Sequence, residues 1–137
     1  MRRLFADTYY WVALLNPKDR WFEDATAFDS TSQQRLVTTD LVLAEFLAFY
    51  SRSGSHARSQ AASTVRRIVN HAHVEVVSVD RKLFLEGLRL YERRPDKAYS
   101  QTDCISMQVM RREGITEVLS NDHHFEQEGF QLLFPAR

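Results

Sequence analysis

Short apolar runs alternate with segments of helical period along this chain, and that alternation restricts the fold more than any other feature. Leu4-Phe5-Ala6 ends at Asp7, and Thr8 leads into the apolar stretch Tyr9 to Leu15, which Pro17 closes; the order is strand, acid, helix. Residues 18–31 carry Trp21, Phe22, Ala25 and Phe28 at helical spacing, and Leu36-Val37-Thr38 forms a second strand candidate. Thr39 or Asp40 can cap a helix over residues 41–51, because a short oxygen-bearing side chain accepts from the unpaired amides of a first turn. The Ser53-Gly54-Ser55 turn opens another helix through Ala61, Val65, Ile68 and Val69, and Val74 to Val79 then reads as a strand. Asp80 caps a helix that must stop before Pro95, a polar loop covers 94–100, and residues 101–113 form a helix ending at Gly114. Val118-Leu119 and Gln131 to Phe134 are the last strand candidates, with Gly129 turning the chain between them. Strands and helices in alternation imply right-handed crossovers and a mostly parallel sheet covered on both faces, an α/β fold.

The 137 residues suffice for one domain with one core, so a single domain spanning 1–137 and a single site are expected. Eighteen basic residues balance eighteen acidic ones, so a polyanion would have to be met by a local patch and not by an overall field. Cys104 has no second cysteine with which to form a disulfide or a multi-cysteine zinc site, which fits a reducing compartment, with the cytoplasm as the expectation. The most apolar stretch, Leu41 to Tyr50, is interrupted by Glu45 and is shorter than the roughly 20 residues of a membrane helix, so no membrane span is expected. Only a few apolar residues separate Arg2 and Arg3 from Asp7, so a secretory signal is not expected.

Functional groups of such sheets gather beyond the carboxyl ends of the strands. Asp7 and Asp122 stand there directly, Asp7 after the first strand and Asp122 after Val118-Leu119. Each has an ordinary alternative as a helix cap or turn residue. Asp103 is open to a similar local explanation, with Ser100 as cap and Asp103 as the third-position acid that supports the helix dipole. Glu45 is harder to absorb this way. It lies between Leu43-Ala44 and Phe46-Leu47, which reads as a buried carboxylate in need of a cation or a proton. The alternative is a narrow polar stripe on which Glu45 pairs with an arginine such as Arg52. Carboxylates brought together raise one another's pKa unless a cation neutralises them, and an all-oxygen set selects a hard ion, Mg²⁺ or Mn²⁺.

Four ordered stretches, Phe5-Ala6-Asp7-Thr8 with Trp11 behind it, Leu43-Ala44-Glu45-Phe46, Thr102-Asp103-Cys104-Ile105-Ser106, and Leu119 to Glu126 leading to Gly129-Phe130, resemble the PIN-domain family across essentially the whole chain. The resemblance is greatest to its VapC-like ribonuclease toxins of toxin–antitoxin pairs. It implies a Rossmann-like three-layer α/β/α fold with four to five strands, and Asp7, Glu45, Asp103 and Asp122 around one or two divalent ions. Thr8, Thr102 and Asn121 would then orient ligands from behind. The implied activity is an Mg²⁺- or Mn²⁺-dependent endoribonuclease that hydrolyses RNA with a metal-activated water, with a small antitoxin and a second copy of the chain as partners. Two alternatives keep the fold: a non-toxin RNA-processing nuclease, or a catalytically silent RNA- or protein-binding module. A receiver-like phosphoryl-transfer domain fits less well, because Glu45 and Asp103 lie on helices and no phosphoacceptor-plus-lysine pattern accompanies them.

Arg52, His56, Arg58, Arg66 and Arg67 form one basic run, and Arg89, Arg93, Arg94 and Lys97 a second. Either can hold RNA phosphates, with Arg52, Arg58 and Arg66 the candidates of the first, although charged helix faces are more often simply solvated. His71, His73, His123 and His124 lack the i,i+4 spacing of a zinc site and are expected as surface or cap histidines.

Overall fold

The computed structural model describes residues 2–31 and 33–134, with side chains left aside at 30 and 31. Its five strands are β1 (Arg3–Ala6), β2 (Arg35–Thr39), β3 (Val74–Val77), β4 (Glu117–Leu119) and β5 (Gln131–Leu132). All four pairings are parallel, in the order β3-β2-β1-β4-β5. The helices among the described residues are α1 (Thr8–Leu15), α2 (Phe22–Thr31), α3 (Asp40–Phe49), α4 (Ser55–Val69), α5 (Arg81–Arg93), α6 (Gln101–Glu113) and α7 (His123–Gln127).

The strands form because their apolar side chains can be covered on both faces. Leu4, Phe5 and Ala6 of the central strand are fully buried, and Phe5 stands in register with Val37 on one side and Val118 on the other. Around them Tyr10, Phe46, Leu83, Leu90, Ile105, Met107, Met110 and Phe125 close the core. Strand order reverses direction between β1 and β4: the chain moves outward from β1 to β2 and β3, then returns to the other side for β4 and β5. That reversal opens a crevice at the carboxyl ends of β1 and β4, the place where ligands of open parallel sheets bind.

Capping chemistry sets the helix starts as expected. Thr39 accepts from the Val42 amide, Asp80 from the Leu83 amide, and Ser100 and Asp103 form a reciprocal capping box at the start of α6. Gly114 ends α6 in the left-handed region at φ 69°, which glycine adopts without a Cβ penalty. Other elements differ from the sequence reading at their edges. α2 starts at Phe22 rather than at 18, β3 stops at Val77, β5 is only Gln131–Leu132, and α7 realises the cap, not the turn, of the two readings open at Asp122.

α6 carries Asp103, and its seat depends on a close approach to α5. A Cβ added to buried Gly87 would come within 2.5 Å of Ile105 Cγ1 and 3.2 Å of the Ile105 backbone nitrogen. Gly87→Ala gains helix propensity worth about 1 kcal/mol but forces overpacking that costs about 1–3 kcal/mol. With Ile105 fully buried and its backbone also in the way, the expected outcome is a net loss of about 1–2 kcal/mol in urea unfolding; an unchanged or raised midpoint would contradict this packing.

Candidate active site and metal centre

Asp7 ends β1 at the crevice and is only 3% exposed. It occupies the cap position of α1, yet its side chain makes no capping bond there, so the ordinary cap explanation does not account for its carboxylate. Ser120, fully buried beyond the end of β4, donates its hydroxyl to Asp7 Oδ2 at 3.0 Å and accepts from the Asp122 amide at 3.0 Å. The Asp7 amide reaches the Leu119 carbonyl at 3.4 Å. The two strand ends are thus stitched together through one hydroxyl and one backbone bond.

Burial raises the Asp7 pKa to about 7, with repulsion from Asp103 adding to it and that from Glu45 contributing less. Asp103, also buried, is raised by burial and by Asp122, against hydrogen bonds from the Ser100 amide and from His124 that pull it down. Tyr9 lies half-exposed at the mouth, and its phenol is raised by burial and then by Asp122, Asp7, Asp103 and Glu45 together. All four acids singled out in the sequence therefore act on one small region, drawn from the ends of β1 and β4 and from the faces of α3 and α6.

The acids differ in their surroundings. Glu45 is exposed, contrary to the expectation of a buried carboxylate. Val42, Leu43 and Phe46 fill the buried face of α3, while Ala44, Glu45, Leu47, Ala48 and Phe49 face outward. Its Oε1 accepts from Thr8 Oγ1 at 2.6 Å, so Thr8 orients it, and no arginine pairs with it among the described residues. Asp122 is half-buried and caps α7 by accepting from the His124 amide at 2.9 Å. Thr102 and Asn121 are half-buried beside Asp103 and Asp122 in the chain, but the bonds that link the acids run through Ser120 and His124.

His124 departs from the surface role expected of it. Half-buried, it places Nδ1 3.2 Å from Asp103 Oδ2 and 3.3 Å from Asp122 Oδ1. One ligand atom from each of Asp103, Asp122 and His124 lies within 4.8 Å of the others, a group able to hold a metal ion. Neither Ser120 nor His124 was singled out as a site residue from the sequence; the only available signal was their spacing of two residues on either side of Asp122. The remaining histidines behave as expected, with His71, His73 and His123 exposed.

Among the described residues no arginine or lysine of either basic run is ion-paired with the four acids. Arg52, Arg58 and Arg66 are exposed, and Arg58 is tied to the Ser51 carbonyl at 3.0 Å. From the second run, Arg94 joins Arg111 on the carboxylate of Glu128, whose side chain is 2% exposed and also accepts from Tyr99. Among the described residues no helix is long and apolar enough to cross a membrane.

The sequence matches the PIN domain family model over residues 4–130. The chain belongs to the PIN-domain family. This PIN domain is 29% identical over 132 residues to the 23S rRNA-specific endonuclease VapC20 of Mycobacterium tuberculosis, covering 96% of this chain and 98% of the relative. The crystal structure of that VapC20, described as a Sarcin-Ricin loop cleaving toxin, superposes with a TM-score of 0.82 over 93% of this chain and 95% of that one. VapBC2 from Rickettsia felis, solved with a DNA fragment from its promoter, shares the fold at 15% identity and a TM-score of 0.65, over 95% of this chain and 96% of that one. FitAcB from Neisseria gonorrhoeae does so at 13% and 0.63, over 96% and 97%.

Because folding raises the Asp7 pKa, the protonated form is favoured in the folded state. Its stabilising contribution is complete below pH about 4 and is lost as pH rises through about 7. In EDTA, Asp7→Asn should therefore gain stability relative to the parent between those limits, by at most ~4 kcal/mol. Urea unfolding at pH 4, 5.5 and 7.5 measures this, and a difference independent of pH would contradict the assigned environment.

Proposed function

We propose that this PIN domain, with residues 1–137 forming one nuclease domain, is a VapC-type toxin: an endoribonuclease dependent on Mg²⁺ or Mn²⁺. The observation that carries the reading is the buried Asp7 carboxylate, which shares the β1/β4 crevice with Asp103 and is pushed up to about 7 by burial and by Asp103. Such a donor set suits a divalent ion, which would replace the proton and relieve the repulsion. Asp7 and Asp103 would hold the ion from below, with Glu45 and Asp122 at the more exposed rim. When bound, the ion supplies the positive charge that favours hydrolysis of a phosphodiester by water.

The remaining chemistry belongs to the side chains of the chain itself. Thr8 fixes Glu45, and Ser120 fixes Asp7. A cysteine nucleophile does not fit, because Cys104 is buried and its thiol is pushed up to about 11, by burial first and then by Asp103 and Glu128. Tyr9, about half exposed at the mouth, offers a ring on which an unpaired base can stack.

RNA as substrate follows the likeness to VapC20, a 23S rRNA-specific endonuclease. An exposed rRNA loop is the substrate class, with a small antitoxin and a second copy of this chain as protein partners and the cytoplasm as the place of action. Arg52, Arg58 and Arg66 are the candidates for phosphate contact outside the acid crevice.

Incubation of the purified protein with 23S rRNA and Mg²⁺ or Mn²⁺ tests this. Cleavage is expected to stop in EDTA and to fall at least about a hundredfold in Asp7→Asn and Asp103→Asn. Equal cleavage by the parent and both folded variants would sink the assignment. Tyr9→Ala is expected to weaken RNA binding about tenfold while Tyr9→Phe preserves it, because stacking needs the ring and not the hydroxyl; equal losses in gel-shift titrations would reject stacking.

A further inference from the structure

The four acids present only oxygen to a cation, whereas the imidazole of His124 brings nitrogen to the same crevice. We propose that His124 Nδ1 is a metal ligand, which together with Asp103 and Asp122 forms a mixed nitrogen and oxygen site that favours a first-row transition ion such as Mn²⁺ over Mg²⁺. This rests on the metal-dependent reading of the acid crevice and adds a nitrogen donor and an ion preference to it.

The geometry supports direct ligation. Nδ1 is 3.2 Å from Asp103 Oδ2 and 3.3 Å from Asp122 Oδ1. Adjacent donors of an octahedral ion with bonds of about 2.1–2.2 Å stand roughly 3.0–3.1 Å apart, so little movement separates the present contacts from a coordination edge. Each member is held in place by a further contact. The Ser100 amide donates to Asp103 Oδ2 at 3.0 Å, and the His124 amide fixes Asp122 Oδ1 at 2.9 Å. The His124 ring meets Tyr99 edge-on with centroids 5.3 Å apart, and Tyr99 is anchored through its hydroxyl on buried Glu128 at 3.0 Å. A surface histidine would not need such a mount. Mn²⁺, although also a hard ion, accepts imidazole nitrogen more readily than Mg²⁺, which takes oxygen and keeps its waters, so one nitrogen among carboxylates shifts the balance between the two.

Calorimetric titration of the metal-stripped protein with Mn²⁺ and, separately, Mg²⁺ tests the assignment without any RNA. The parent is expected to bind Mn²⁺ at least about tenfold more tightly than Mg²⁺, and His124→Gln and His124→Ala to lose about tenfold in Mn²⁺ affinity with Mg²⁺ changed less than about twofold. Pulsed electron paramagnetic resonance of the Mn²⁺ complex should show coupling to a nitrogen-14 nucleus in the parent and none in His124→Gln. If the Mn²⁺ signal lacked nitrogen coupling in the parent, or if both variants weakened the two ions equally, His124 would only position the carboxylates and the proposal would fail while the acid site stood. If the parent bound neither ion, both readings would fall together.

Discussion

The parallel pairing of β1 with β4 places a buried carboxylate where two strand ends meet, and the rest of the site is arranged around that constraint. Asp7 cannot move out to solvent without unpairing the end of the central strand, whose Phe5 is locked between Val37 and Val118. The charge must be managed where it lies. Ser120 supplies a hydrogen bond, but Asp103 adds repulsion, and the balance favours a proton or a cation over an isolated charge. Strand order makes this possible, because only between β1 and β4 do successive crossovers leave in opposite directions.

Positions around the crevice are unequal in rigidity. Asp7 is held by the buried Ser120 at a strand end and Asp103 by its capping box with Ser100, whereas Glu45 sits on the outward face of α3 and is fixed by a single bond from Thr8. Asp122 performs two tasks, ending the turn after β4 and starting α7. A change at the rim can therefore alter electrostatics with little effect on the core, while a change at Asp7 or Ser120 acts on the sheet itself.

Much of this was legible in the amino-acid order. The strand-to-acid junction at Asp7, the caps at Thr39, Asp80 and Ser100, and the stop at Gly114 all rest on local chemistry, and the structure keeps them. Glu45 was misread for a specific reason. The stretch Leu41 to Phe49 is apolar nearly all round, so its periodicity does not reveal which face meets the sheet. Only tertiary packing selects Val42, Leu43 and Phe46 for the interior and turns Glu45 outward. α7 is five residues long, too short for a period to register. His124 was unreadable as a site residue because its partners arrive from 21 positions back, at Asp103, as well as from the adjacent turn.

The hydroxyl of Ser120 offers one hydrogen and two lone pairs, and its two contacts tie the turn after β4 to the end of β1. The Asp122 amide can only donate, so it occupies a lone pair of the Ser120 oxygen. While Asp7 is ionised its Oδ2 can only accept, and the Ser120 hydrogen is directed at it. Once Asp7 is protonated, the second lone pair of Ser120 can accept in turn, so one hydroxyl serves either state of the carboxyl while the Asp122 amide, beyond the end of β4, stays on the first lone pair.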